Sequence, residues 1–409
     1  MTAITLQEAA ATYEDFYVPR FEIKAGGKAI APAVLRDVVQ VTYNDSTTEI
    51  DSVDITVNNW DDSTRSFKYV GSERSARLSG ATPEEQLQRL FEPCAGEFEL
   101  KLGYGSNLSS VVKGATTSLE PTFPAGAAPT LTVRALNVLF KLRTKQYRDH
   151  WSNKKISEVA EDIGRRNDSD GKKRFPLPIR IDRTAKGKEP KLDYIAQDNQ
   201  YDIDFLLLEA RKIGYVVYVD LEPQGRGKAP REVLHFGPSN ALHEGVPAVS
   251  YELKWGISLI DFSPKLSTAN QVKSVEVKGW NRQTNKAIKK KVDLRHPDIK
   301  INRDLLHLLD QDGCKPREEV IVDEPQYTPE QAERRALAVL SEKLKQMVEA
   351  TGTTVGLPDL RAGRRVRIKG LGARFSGIYF VIKTTHTIND SGYLTKFTAR
   401  REQGEEGEL

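Results

Sequence analysis

IDSVDITVNNW, residues 50–60, sets Val53, Ile55 and Val57 on one side of the chain and Asp54 and Thr56 on the other. A period of two belongs to a strand with one buried face, because successive side chains on a pleated backbone point to opposite sides. The same reading extends outward in both directions. VPRFEIKAGGKAI (18–30) alternates around Phe21 and Ile23 and turns at Gly26-Gly27, and AVLRDVVQVTYND (33–45) runs through Val34, Val38 and Val41. Thr82-Pro-Glu-Glu85 has the form of a capping box with proline in the first turn, so a short helix is predicted over 83–92. Strand patterns resume in GEFELKLGYG (96–105), SSVVKGATTSLEPTF (109–123) and PTLTVRALNVLF (129–140), with a Pro/Gly/Ala turn at 124–129. Short strands at this spacing indicate a small barrel or sandwich.

The pattern changes near residue 145. NKKISEVAEDIGRRN places Ile156, Val159, Ala160 and Ile163 at helical spacing. The lysine-rich stretch 167–191 reads as a mobile loop. QDNQYDIDFLLLEARKIGYVVYVDL predicts a helix ending near Gly214, where a left-handed cap would sit, then a strand over 215–219. REVLHFGPS is a further strand, and QGRGKAPR before it a hairpin turn.

A third block opens near 251, with Val272, Val275 and Val277 marking its alternating strands, and 295–327 reads as polar and irregular. Thr328-Pro-Glu-Gln331 is a second capping box. It opens a helix predicted over 329–350, with Ala332, Ala336, Val339, Leu340, Leu344, Met347 and Val348 on its apolar face and Gly352 closing it. Strands return in RRVRIKG, GIYFVIKTTHTI and YLTKFTARR. The fold class is therefore α+β and β-rich: two small tube-like β-barrels separated by an α/β insert, with one long helix inserted in the second barrel. The expected divisions are an N-terminal extension 1–16, a first barrel 17–145, a middle domain 146–250, a second barrel 251–401 and an acidic tail 402–409.

Composition bounds the function. The chain has 409 residues, 38% hydrophobic and 29% charged, which places it among globular proteins. No apolar run approaches the roughly 18–20 residues of a membrane span, and the N-terminus lacks the basic cluster and apolar core of a secretory signal. Assembly in the cytoplasm without membrane insertion is the expectation. Cys94 and Cys314 form neither a disulfide framework nor a zinc site. The net charge of +4 is uneven: residues 1–145 carry 15 basic and 18 acidic side chains, so the excess of basic charge lies further on.

Chemistry is sparse. The six histidines, at 150, 235, 243, 296, 307 and 386, show no ligand spacing, and His386, inside a strand, reads as structural. LKLGYGSNL and KGLGARFSG lack the lysine–serine ending of a phosphate loop. The densest carboxylate pairs, Asp202/Asp204, Asp61/Asp62 and Glu84/Glu85, are the candidates for glycoside cleavage, though capping and solvated faces account for each. No catalytic, cofactor-binding or metal-ligating residue is assigned. NRQTNKAIKKKVDLRHPDIK holds seven basic residues against two Asp, and RAGRRVRIKGLGAR six with no acid. Such stripes suit phosphate backbones, acidic partners or a pore lining, and aromatics are not interleaved for base stacking. The interface candidates are Arg364, Arg365, Arg367, Lys369, Arg400 and Arg401.

Six stretches in order resemble the late-control-protein-D family of contractile phage tails, which is similar to the T-even phage hub and to the hub half of VgrG proteins. They are YVPRFEIKAGGKAI with VDITVNNWDD, SLEPTFPAGAAPTLTVRALN, QYRDHWSNKKISEVAEDIGRR, IAQDNQYDIDFLLLEARKIGYVVYVD, VKSVEVKGWNRQTNKAI, and the closing run from Gly356 to Glu402. The resemblance spans roughly 17–401. It implies a baseplate hub without enzymatic activity, a homotrimer whose two barrels per subunit alternate around the axis. That pseudo-sixfold ring adapts a threefold spike to a hexameric tail tube. VgrG-like chains continue into an OB-fold and a β-helical spike, whereas this sequence stops at Leu409, so a separate spike protein is expected. The tail-tube protein and other baseplate components are the remaining partners, in a phage tail or a contractile injection particle. A tail-associated glycosidase and a nucleic-acid-binding module stand as alternatives.

Overall fold

The computed structural model describes residues 3–71, 90–94, 96–222, 231–241, 249–282, 284–299, 301, 303–310, 317–324 and 326–402. The helix predicted over 83–92, the turn QGRGKAPR (224–231), Glu84/Glu85, Cys314 and all of the tail past Glu402 fall outside the described residues, wholly or nearly so. Strands hold 48% of the chain and helices 21%, which makes the class α+β.

In the first block β1 (Pro19–Ala25), β2 (Val38–Ser46), β3 (Ser52–Asn58), β4 (Phe98–Tyr104), β5 (Asn107–Thr122) and β6 (Thr130–Asn137) pair antiparallel in the order β2-β3-β6-β5-β4-β1. Val53, Ile55 and Val57 are buried, as the alternation of 50–60 requires. On the opposite face Asp54 accepts from Arg134 Nε across the β3–β6 pair at 2.7 Å.

The insert has its own core of Leu139, Trp151, Val159, Ile163, Phe175, Ile203, Phe205 and neighbours. β7 (Gln146–Lys154) forms a two-stranded ribbon with β9 (Leu192–Tyr201). A three-stranded sheet follows the order β8-β11-β10, with β8 (Ile179–Ile181), β10 (Val216–Glu222) and β11 (Arg231–Gly237). Helices α2 (Ile156–Arg165) and α3 (Asp202–Lys212) pack in this layer, and Gly214 ends the second at φ +73°, the cap position read from the sequence. The stretch 167–191 is not a plain loop. Phe175 and Leu177 are buried, β8 pairs parallel to β11, and a short helix covers Arg183–Gly187. The lysine count of this segment masks the alternation Phe175, Leu177, Ile179, Ile181.

In the last block β12 (Tyr251–Lys254), β13 (Asp261–Leu266), β17 (Val348–Val355), β18 (Arg365–Lys369), β19 (Gly377–Asn389) and β20 (Gly392–Arg401) belong to one sheet, while β14 (Val272–Asn281), β15 (Lys286–Asp293) and β16 (Arg317–Ile321) form a separate three-stranded one. Helix α4 (Pro329–Lys345) packs on the latter, its first turn capped by Thr328. It stops about five residues short of the expected end: Val348 opens β17, and Gly352 lies inside that strand, where an added Cβ would stand 2.6 Å from the Phe397 ring. The β-branched run through Val348, Thr351, Thr353, Thr354 and Val355 favours the strand over another helical turn. The region 295–327, read as irregular, contributes a helix at Arg303–Asp310 and strand β16.

The two β-rich blocks are joined. β2 pairs antiparallel with β19 from Ser46↔Lys383 to Val41↔Ile388, so both lie in one 14-stranded sheet. Strand patterns alone name no partner, which is why a shared sheet was not visible in the alternation. The N-terminal extension also docks on its own chain. Ile4–Thr5 runs parallel to β12, and Thr5 with Glu8 caps α1 (Leu6–Thr12) through a complete capping box. Ala9 and Tyr13 are buried, and the Tyr13 hydroxyl donates to Asp359.

Candidate functional site: a buried junction and an exposed apolar turn

Gly356–Arg364, GLPDLRAGR, connects β17 to β18 and bonds to the N-terminal extension, the first block, the insert and strands β19 and β20. Its centre is Arg361, 4% exposed. β2 alternates Val41, Tyr43 and Asp45 on its buried face, so the third of these carries a carboxylate into the core. Arg361 meets it: Nε donates to Asp45 Oδ2 at 3.1 Å, Nη2 to the Tyr43 hydroxyl at 2.7 Å, and the Ala362 N–H adds a second bond to Asp45 at 2.9 Å. Asp51 lies 4.0 Å from the same guanidinium and accepts from Asn137 Nδ2 at 2.7 Å and the Ser46 N–H at 3.2 Å. Burial pushes the Asp51 carboxyl well above its ordinary range, with Asp45 adding to that and Arg361 opposing it.

His386 closes the same cluster. Burial, then the Arg361 charge, depress its pKa to about 3, so the ring is neutral. Nε2 lies 3.0 Å from the Leu360 carbonyl, which only accepts, so Nε2 carries the proton. Nδ1 therefore accepts, with the Tyr393 hydroxyl at 2.9 Å and Thr395 Oγ1 at 3.1 Å. Tyr104 of the first block donates to the Gly356 carbonyl at 2.9 Å. On the insert side Asp220 is shared by Arg180 and by Arg364, whose Nη2 lies 2.7 Å away. Burial would raise the Asp220 carboxyl, but the Arg364 and Arg180 charges outweigh it and hold it low. The Tyr218 hydroxyl donates to the Gly363 carbonyl at 3.3 Å. The junction is an ionic and hydrogen-bonded clamp: its hydroxyls, ring nitrogens and carboxylates are turned on one another.

None of the six basic interface candidates is exposed. Arg364 serves Asp220, while Arg367 and Lys369 lie 3.8 and 3.1 Å from Glu252 Oε2. Arg365 is buried in β18. Arg400 donates to Glu342 at 2.9 Å above the Phe380 ring, and Arg401 donates to the Arg374 carbonyl at 2.6 Å. In the other basic stretch, Lys289, Lys290 and Lys291 face Glu276, Glu333 and Glu318 at 3.3, 3.4 and 2.6 Å. The carboxylate pairs are similarly occupied. Asp202 is buried against Arg174, Asp204 pairs with Arg143, Asp61 caps Ser63, and Asp62 accepts from Trp60 Nε1. Among the described residues no group of three or more His, Cys, Asp and Glu could hold a metal, and no helix is long and apolar enough to cross a membrane. Cys94 is a free, exposed thiol.

The surface feature that sequence reasoning missed is the turn from β12 to β13. Trp255, Ile257 and Ile260 are 58%, 71% and 59% exposed. The turn is nonetheless fixed: Ile257, Ser258 and Leu259 all donate to the Lys254 carbonyl, Thr354 Oγ1 donates to the Ser258 carbonyl at 2.8 Å, and Leu259 is buried. The signal was present in KWGISLI, where apolar residues cluster around a glycine between two strands.

The fold is similar to that of solved phage tail proteins. The 43 kDa tail protein of prophage MuSo2 from Shewanella oneidensis superposes with a TM-score of 0.61 at 15% identity, covering 94% of this chain and 98% of that one. A tail protein from Neisseria meningitidis MC58 gives 0.61 at 13% identity, covering 96% and 98%. A chain of the half-lidded Francisella PdpA–VgrG complex gives 0.51 at 7%, covering 99% of this chain and 62% of that one. The model of the family described as Alg8 N-terminal domain matches residues 17–390, and the chain belongs to that family. No curated protein matches it in sequence.

Proposed function

We propose that the chain is the structural hub of a contractile-tail baseplate, in a phage or in a contractile injection machine. The observation that carries this reading is the likeness to tail proteins along almost the entire length of both chains. The ordered resemblance to late-control-protein-D hubs points the same way. On this reading three copies form a ring, and each subunit's sheet supplies two tube-like halves, one around β2–β6 and one around β17–β20. The ring adapts a threefold spike to the hexameric tail tube, with the spike protein, the first tube ring and other baseplate components as partners. It is assembled in the cytoplasm and then carried in the particle. No catalytic role, membrane insertion or specific nucleic acid belongs to the proposal. The acid pairs weighed for catalysis that fall among the described residues are held in structural contacts, and the exposed turn at Trp255 is available for assembly.

The test is to recover the tagged chain from its native host and identify what comes with it. Spike, tube and baseplate chains together with a mass near three times 45.8 kDa for the purified protein support the hub. A monomer that recovers none of them overturns it.

A further inference from the structure

A groove of about 630 Å³ lies between the insert and the long helix, large enough for a peptide or a small ligand. One wall is β9, of which the consecutive residues Leu192–Ala196 all line the groove. Among the described strands β9 pairs with β7 alone, so its second edge presents main-chain donors and acceptors to no strand. Tyr194 stands on this wall, 61% exposed. Across the groove Arg282 lies over the Tyr327 ring at 5.0 Å, and Arg334 over the Tyr215 ring at 5.9 Å. Arg334 Nε is buried without a hydrogen-bond partner, and neither guanidinium has a carboxylate partner among the described residues. The other lining cations are occupied: Lys212 by Glu209 at 2.6 Å, and Arg335 by both oxygens of Glu324 at 2.6 Å. Asp193 is the lining carboxylate left over, so the unpaired charge favours an anion. At the N-terminus of α4 the Gln331 N–H is already bonded to Thr328 Oγ1 and the Tyr327 N–H to Gln331 Oε1, so neither is free for a ligand.

We propose that this groove docks an extended acidic peptide segment of a partner protein, added as a strand along Leu192–Ala196 with its carboxylates on Arg282 and Arg334. An open strand edge gives affinity through main-chain bonds from alternate residues, about 6.8 Å apart along the strand, and cations alongside it select for acidic side chains. A small anion would meet Arg334 and leave the edge unused. A nucleic acid would need a longer basic track, whereas Lys212 and Arg335 are already neutralised. The docking needs no assumption about trimers or tails.

The experiment titrates the full chain with a fluorescein-labelled EVEVEV peptide, with KVKVKV as the charge control and inorganic phosphate as competitor. EVEVEV binds and KVKVKV does not, and binding falls steeply at about 1 M salt, where the screening length is about 3 Å. Arg282→Gln, a change at an exposed side chain, weakens binding about threefold, and the double change with Arg334→Gln about tenfold or more. Amide exchange across Leu192–Ala196 slows when the peptide is bound. No binding, equal binding of KVKVKV, or unchanged exchange along Leu192–Ala196 overturns the proposal. Displacement by phosphate with no change in exchange likewise overturns it and makes the groove a small-anion site.

Discussion

His386 and Arg361 both meet the ring of Tyr43, and the Arg361 charge adds to burial in keeping the His386 ring neutral. The histidine is neutral in the fold, with a pKa near 3, while the unfolded chain titrates it at about 6.5. Below about pH 6.5 the unfolded state therefore binds the extra proton, and stability falls as pH falls, by about 1.4 kcal/mol per unit down to about pH 3. Urea unfolding of His386→Gln should show a flatter profile between about pH 7 and 4.5, with the gap to wild type narrowing on the acid side. Parallel profiles would show that His386 does not titrate on unfolding. Arg361→Met has a different signature. It strands Asp45 and Asp51 in the core and should cost about 3–5 kcal/mol near neutral pH. Adding Asp45→Asn should restore a large part of that loss in the same unfolding measurement. A loss that Asp45→Asn leaves untouched would assign the effect to packing. The alternation Val41, Tyr43, Asp45 turns a carboxylate inward, a signal that sequence reasoning missed by stopping at Val34, Val38 and Val41. The counterion of Asp45, 316 positions away, carried no signal at all, because pairing across that separation depends on the fold.

At the level of elements, capping chemistry read well and termination read poorly. Thr328 caps α4 where the sequence placed the start, since a cap is set by four consecutive residues. The helix end was misplaced because Met347 and Val348 continue the apolar stripe while already turning into β17. The loop Gly356–Arg364 carried no periodic signal, yet its glycines are tightly constrained: an added Cβ at Gly356 would lie 2.0 Å from the Tyr393 ring. Gly363 adds a positive φ of +83°, and its Cβ would lie 2.2 Å from the ring of the buried Tyr218. Gly363→Ala should therefore cost about 2–4 kcal/mol, combining backbone strain with overpacking. Gly126→Ala, at φ +85° with open space around it, should cost only about 1 kcal/mol. Tyr218→Ala combined with Gly363→Ala should be less destabilised than the two single changes added together, because the clash disappears. Thermal unfolding of the four variants measures this, and additive losses would mean that the ring moves aside freely.

For the whole molecule, the sequence conveyed strand content and block order, while the shared sheet and the closed N-terminal extension depend on pairings between distant segments that no local pattern encodes. Assembly is harder still to read, because the basic stripe that looked like an interface is tied up within the chain. If the proposed ring exists, its contacts must come from surface left uncommitted, and the turn at Trp255, Ile257 and Ile260 is a rigid apolar group of that kind. Fully burying a large apolar side chain is worth about 1.5–3 kcal/mol, so three that are each more than half exposed still offer several kcal/mol to a neighbour. Trp255→Asp with Ile257→Asp should leave the melting of the isolated subunit within about 0.5 kcal/mol of wild type, because neither side chain is in the core. The same change should convert the assembled species to monomer, since it would place two carboxylates in an apolar contact. Light scattering over a range of concentrations, beside circular-dichroism melting, reads both quantities on one sample. An intact assembly in the double variant would remove this turn from the interface, whereas a monomer with lowered melting would assign Trp255 and Ile257 to the stability of the fold instead.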